Sequence, residues 1–142
     1  MTASFASKEW AEALGARLDE SARVRTESMS WVFGPLTLVV DADDELGIEA
    51  TALRLDLHEG SCRGITRSTA AAAAVTPFEL RGTPARWKSI LAGELSMVDA
   101  VLDSRLRAAG DLPTLARHRG LLDAIAEAAS AIETEWPEPA TA

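Results

Sequence analysis

The sequence holds one cysteine, two histidines and far fewer basic than acidic side chains among its 142 residues. Each scarcity excludes something. Cys62 cannot form an internal disulfide, so a reducing, cytoplasmic setting is expected. His58 and His118 lie far apart in sequence and do not suggest a His-based metal site, and no cofactor is expected. Lys and Arg total 14 against 22 Asp and Glu, a formal net charge of −8. That is the wrong sign for a general nucleic-acid binder or a polybasic membrane anchor. No apolar run reaches the length of a membrane span, so stable membrane insertion is not expected. Met1 to Trp10 shows no apolar stretch behind a basic start and does not read as a signal peptide. There is no Gly-x-Ser-x-Gly, no phosphate loop and no dinucleotide fingerprint.

What is present is a change of hydrophobic period along the chain. From Ser7 to Ser21 the apolar residues Trp10, Leu14 and Leu18 recur every four positions beside Ala11, an amphipathic helix with Ser7 as its cap. From Met29 the period becomes two. Met29, Trp31 and Phe33 alternate with small or polar residues, Gly34-Pro35 marks a turn, and Leu36, Leu38 and Val40 alternate again. Two paired strands are expected there. The acidic run Asp41 to Glu45 forms the next turn, ending at Gly47. A third strand is expected from Ile48 to Leu57, with a bulge near Ala52-Leu53 to reconcile a change of parity. A fourth runs from Cys62 towards Ser68. The alanines after Thr69 are open to either strand or helix.

The period turns helical at Thr83-Pro84. Trp87, Ile90, Leu91 and Leu95 share a face, Gly93 ends the helix, and Ser96 starts a second one with a buried stripe of Val98, Val101 and Leu102. Arg105 to Arg107 reads as a short strand. Asp111 caps a last helix whose buried face is Leu115, Leu122, Ile125, Ala129 and Ile132, with Gly120 weakening its middle. The fold class is α+β, with residues 1–136 as one domain and residues 137–142 as an acidic tail.

Three sites invite chemistry. The Asp41–Gly47 loop resembles a calcium loop in charge, but Leu46 and Ala52 stand where an EF-hand needs Gly and Glu. Asp56 and His58 share a strand face and could exchange a proton, although that face is the polar one. Cys62 next to Arg63 is either an activated thiol or a small strand hydrophobe. The stripe from Trp87 to Leu102 is apolar beyond what two short helices need, and spare volume beside it would make a pocket.

Phe78-Glu79-Leu80, Gly82, Trp87, Ile90-Leu91, Gly93, Leu106 and Gly110-Asp111 before a last helix resemble the sterol-carrier-protein-like family of small lipid-binding domains. Helix and strand order agree over nearly the whole chain. Ser104-Arg105 replaces the family's glycine-lysine strand start, the alanine run is atypical, and the peroxisomal C-terminus of some relatives is absent. The resemblance implies a five-stranded mixed sheet with helices packed on one face, and an apolar tunnel between them for sterols, fatty acyl chains or similar molecules. It places Phe78, Trp87, Ile90, Leu91, Leu95, Met97, Val101 and Leu102 in the pocket wall. A non-enzymatic carrier is the first reading. An accessory domain offering a dimer or partner surface is the second, and an enzyme using Asp56 and His58 on an apolar substrate is the third.

Overall fold

The structure, a computed structural model, describes residues 3–69 and 78–136. The alanine run and the tail at 137–142 lie outside the described residues. A short strand, β1 (Ala3–Ser4), leads into α1 (Lys8–Glu20). The Ser7 side chain accepts from the Trp10 backbone N–H at 3.2 Å, supplying a partner for one free donor of the first turn. The buried face is Trp10, Ala11, Leu14 and Leu18, as the four-residue spacing requires. Ser21 ends α1 and caps α2 (Ala22–Glu27), of which only Val24 is buried.

The sheet is built from β2 (Leu36–Val40), β3 (Thr51–His58), β4 (Ser61–Thr69), β5 (Phe78–Gly82) and β6 (Arg107–Ala109). Their spatial order is β4-β3-β2-β5-β6. β2 runs parallel to β5 and antiparallel to β3, so the sheet is mixed. Register places Leu36 beside Leu55 and Phe78, and Leu38 beside Leu53 and Leu80. One face of the sheet is therefore a continuous apolar floor. The other carries Thr37, Arg54, Glu79 and Arg81 at the alternate positions, with Arg81 paired to Glu79 at 3.2 Å and Asp41 at 3.7 Å.

Helices α3 (Pro84–Leu91), α4 (Met97–Leu102), α5 (Leu112–Arg117) and α6 (Arg119–Ser130) join α1 and α2 over the apolar floor. α6 packs against α1, α2, α3 and α4, and forms the middle of the lobe. A last short strand, β7 (Thr134–Glu135), pairs in parallel with β1.

Several expectations are corrected. Met29 to Phe33 is not a strand. Its alternation is incidental, because only Trp31 is buried (0%) while Met29 is 60% exposed. The fifth strand is Phe78–Gly82 instead. The third strand starts at Thr51 rather than Ile48, so no parity change arises at Ala52-Leu53; the register shift lies between Leu55 and Leu57. β6 is displaced towards Ala109. The final helix is two helices, broken at His118 rather than weakened at Gly120, since His118 leaves helical geometry (φ −110°, ψ 32°). In α4 the buried residues are Met97 and Ala100, and Leu102 is 68% exposed.

Candidate functional site

The apolar floor and the helical lobe meet around Gly82. Leu106 lies against the Gly82 Cα so closely that a Cβ there would strike its Cδ2, and the Trp87 indole nitrogen would be 3.6 Å from that Cβ. A side chain at position 82 would displace Leu106 and touch Trp87 at ordinary contact distance. Trp87 Nε1–H also donates to the Val39 carbonyl at 3.0 Å, wholly buried, which fixes the ring over the end of β2. These contacts give a packing reason for the grouping of Gly82, Trp87 and Leu106.

Beneath Trp87 is a void of about 20 Å³. Its walls come from the floor (Leu38, Val40, Leu53), α1 (Trp10, Leu14), α3 (Trp87, Leu91), α4 (Met97), α6 (Ile125, Ala129) and Phe5. Among the described residues no charged side chain lines it, and its volume is close to that of a single water. Outside it, between α3–α4 and α6, lies an open groove of about 320 Å³ bounded by Ile90, Leu91, Leu95, Met97 and Ala126, with Asp123 and Glu127 on its rim. Leu91 and Met97 belong to both spaces and form the partition between them.

The pocket residues named from sequence therefore separate into groups. Trp87, Leu91 and Met97 face the void, and Ile90, Leu91, Leu95 and Met97 line the groove. Val101 and Leu102 turn to a third space of about 480 Å³ between α4, α5 and α6, walled also by Val98, Leu112, Leu115 and Leu122. Phe78 stands apart from all three. Its ring packs 5.0 Å from Trp31 and 6.4 Å from Phe33, and His118 joins Trp31 edge-on at 5.1 Å. Sequence reasoning did not name Trp10, Leu14, Leu38, Ile125 or Ala129 for this site. Their spacing marked most of them as core, and nothing local distinguishes a core residue that also borders a void.

The chemical candidates lie elsewhere. His58 Nε2 is 3.6 Å from the neighbouring Glu59 carboxylate at the exposed β3–β4 turn, and neither Asp56 nor His58 borders the spaces described above. Cys62 is half-buried, and burial pushes its thiol above the ordinary 9.0, the reverse of activation. In the acidic loop, Asp43 accepts from the Leu46 N–H at 3.1 Å and closes the turn. Among the described residues no three His, Cys, Asp or Glu side chains converge in a way that could hold a metal ion. Among the described residues no helix is long and apolar enough to cross a membrane.

Asp111, the cap of α5, gives a pH-dependent test. The Thr114 hydroxyl donates to its Oδ2 at 2.8 Å and the Thr114 N–H to its Oδ1 at 3.2 Å. These bonds, the hydroxyl first, hold the carboxyl below its ordinary 3.8. A depressed folded value contributes stability above the unfolded value, lost as pH falls through the folded one. Asp111→Ala should therefore lower the urea midpoint near neutrality, with the gap from the native chain closing in acid. A gap that stays constant with pH would show that the carboxylate charge contributes nothing.

No family model matches the sequence, and no curated protein does. Among solved structures, a sterol carrier protein 2 superposes with a TM-score of 0.83 at 27% identity, covering 90% of this chain and 98% of its own. A protein from Thermus thermophilus, described as possibly a sterol carrier protein, gives 0.82 at 25% identity over 95% and 94%. Sterol carrier protein 2 from Yarrowia lipolytica, at 11% identity, shares the fold with a TM-score of 0.59 over 92% and 97%. With its five-stranded mixed sheet and single-faced helical lobe, the chain is a sterol-carrier-protein-2-like α+β domain.

Proposed function

We propose that the protein binds and carries an apolar molecule, a sterol, fatty acyl chain or similar, between the sheet and the helical lobe. The observation that carries this reading is the wholly apolar void under Trp87, which shares Leu91 and Met97 with an open groove. At about 20 Å³ the void is too small for such a ligand, so the bound state requires its walls to move, and Leu91 and Met97 are two side chains able to do so. Both are unbranched at Cβ, and Met has three rotatable bonds that let it repack. Affinity would come from hydrocarbon burial, roughly 25 cal/mol per Å². A mosquito relative of the same fold has been solved in a palmitated form, which is consistent with an acyl chain as cargo.

Native mass spectrometry of freshly purified protein, followed by organic extraction, tests this. A co-purifying lipid, or saturable binding of added sterol or fatty acid by the delipidated protein, is expected. Protein that stays empty with both ligands would remove the carrier reading. The exposed side chains Leu102 (68%) and Leu112 (50%) favour a second reading, an accessory domain whose α4–α5 surface meets a partner or a second copy. That reading predicts concentration-dependent association in sedimentation with no bound lipid.

A further inference from the structure

The void has a second thin wall. Phe5 lines it there, and the Phe5 ring packs against Trp136 with centroids 4.4 Å apart. Trp136 in turn borders a surface opening of about 150 Å³ lined by Lys88, Leu91, Ala129, Ile132 and Thr134. Leu91 and Ala129 face both spaces. These two residues are the shared wall, while Phe5 borders the void and Trp136 the opening, and the opening adjoins the α3–α4 groove at Leu91, Ala92 and Ser130.

Phe5 meets Trp10 edge-on at 5.1 Å, and the backbone that carries the Phe5 and Trp136 rings is held by a short pairing. β1 and β7 are two residues each, pairing Ala3 with Thr134 and Ser4 with Glu135. The Ala3 N–H donates to Glu133 and the Phe5 N–H to Glu135, each at 3.0 Å, and Trp10 Nε1–H reaches the Thr134 hydroxyl at 2.9 Å. This pair is a sheet of its own, separate from the five-stranded one. A pair this short gains little from its own ladder and depends on its packing against α1. Directly after Phe5 the chain turns at Ala6, which has a φ of 61°. A non-glycine residue in the left-handed region is uncommon, and such strain concentrates in switch segments. The turn is nevertheless anchored, since Arg67 Nε–H donates to the Ala6 carbonyl at 2.6 Å.

The two openings differ in charge. Among the described residues Lys88 is the only charged side chain lining the Trp136 opening, with Nζ 5.9 Å from the Trp136 ring centroid. On the α3–α4 groove the charged side chains are Asp123 and Glu127. Lys88 favours an anionic head at the first opening over the second, where Asp123 and Glu127 stand, against the formal net charge of −8 of the chain as a whole.

We propose that the paired ends β1 and β7 form a strap that opens to admit a ligand beside Phe5 and Trp136, and that Lys88 selects an anionic head group at that entrance. The chain of the ligand then runs inward past Leu91 while its head remains at the surface. This proposal rests on the carrier reading and adds to it a route and a determinant of specificity.

Palmitate and 1-hexadecanol, alike in chain and different in head, are the probes for the head group. Lys88→Glu should weaken palmitate about fivefold, as a partly exposed ion pair allows, and leave 1-hexadecanol unchanged. Equal effects on both, or none on palmitate, overturn the role of Lys88. For the strap, Ser4→Cys with Glu135→Cys in a Cys62→Ser background places two thiols at paired positions. Oxidation should slow palmitate uptake at least about tenfold, as locking a gating segment does, and reduction should restore the rate. Uptake at the same rate in both redox states overturns the strap. The reduced protein controls for folding. Native protein that takes up neither amphiphile removes the carrier reading itself, an outcome distinct from uptake that ignores the lock or the charge.

Discussion

Replacing Trp31 by alanine should lower stability by about 3–5 kcal/mol, the range for truncating a fully buried aromatic residue. For a chain of this size that is a fall of roughly 10–17 °C in melting temperature. The indole is wholly buried and has three ring neighbours at 5.0–5.3 Å, Phe33, Phe78 and His118. Its Nε1–H donates to the Gly34 carbonyl at 2.8 Å, and its own carbonyl accepts from the Glu59 N–H at 3.0 Å. One residue thus joins the 28–34 loop, the β3–β4 turn, the start of β5 and the α5–α6 junction. Met29→Ala, two positions away and 60% exposed, should cost less than about 1 kcal/mol. Urea denaturation of the two variants measures the contrast. Equal losses at both positions would restore the strand reading of this segment, in which Met29 and Trp31 share one face.

Trp87→Ala should cost a similar amount, about 3–5 kcal/mol, by a different mixture of causes. It removes a ring that is 3% exposed, enlarges a void that already exists, and leaves the Val39 carbonyl without its indole donor. Trp87→Phe separates these terms, because it keeps most of the volume and loses the hydrogen bond. Its loss should be about 1–3 kcal/mol. The enlarged cavity of Trp87→Ala is walled by apolar side chains apart from the freed Val39 carbonyl, so benzene should raise its midpoint and leave that of the native chain unchanged. Full cost from Trp87→Phe would place the role of this residue in its hydrogen bond, and no benzene effect would show that the lobe collapses into the space.

Elements whose order is written in local chemistry were legible in the sequence. Ser7, Thr83, Ser96 and Asp111 each cap the helix that follows them, because a short side-chain oxygen beside a free backbone N–H leaves little choice. Leu36–Val40 was legible as a strand, but its partner was not. Alternation tells which way a side chain points and says nothing about which segment lies alongside. The stretch around Trp31 misled because three bulky residues at even spacing meet the strand criterion, while the hydrogen bonds of Ser28, Trp31 and Gly60 fold it into a loop. α2 escaped notice because Val24 is its only buried residue and leaves no period to detect.

For the site the limit was of another kind. Of the residues named for a pocket wall, Trp87, Leu91 and Met97 border the void, whereas Phe78 packs in the Trp31 cluster. A void is a property of several elements together, and Leu38 on β2 and Ile125 on α6 carry no local mark of sharing one. Val101 and Leu102 show the converse case. A hydrophobic stripe on a helix as short as α4 can face outward, because Met97 and Ala100 suffice to seat it.

The parallel contact of β2 with β5 has a consequence for how the molecule assembles. The β3–β4 hairpin lies between them in sequence and can close by itself through its tight turn at Glu59-Gly60, where both residues have positive φ. β2 gains its second neighbour only when the chain returns at Phe78, a non-local pairing that must overcome loop-closure entropy first. Until then Leu36-Thr37-Leu38-Val39-Val40, uncharged and rich in β-branched residues, has one unpaired edge, the composition most prone to pairing with another chain. The strand at the centre of the finished sheet is thus the segment most exposed to aggregation while the sheet is incomplete.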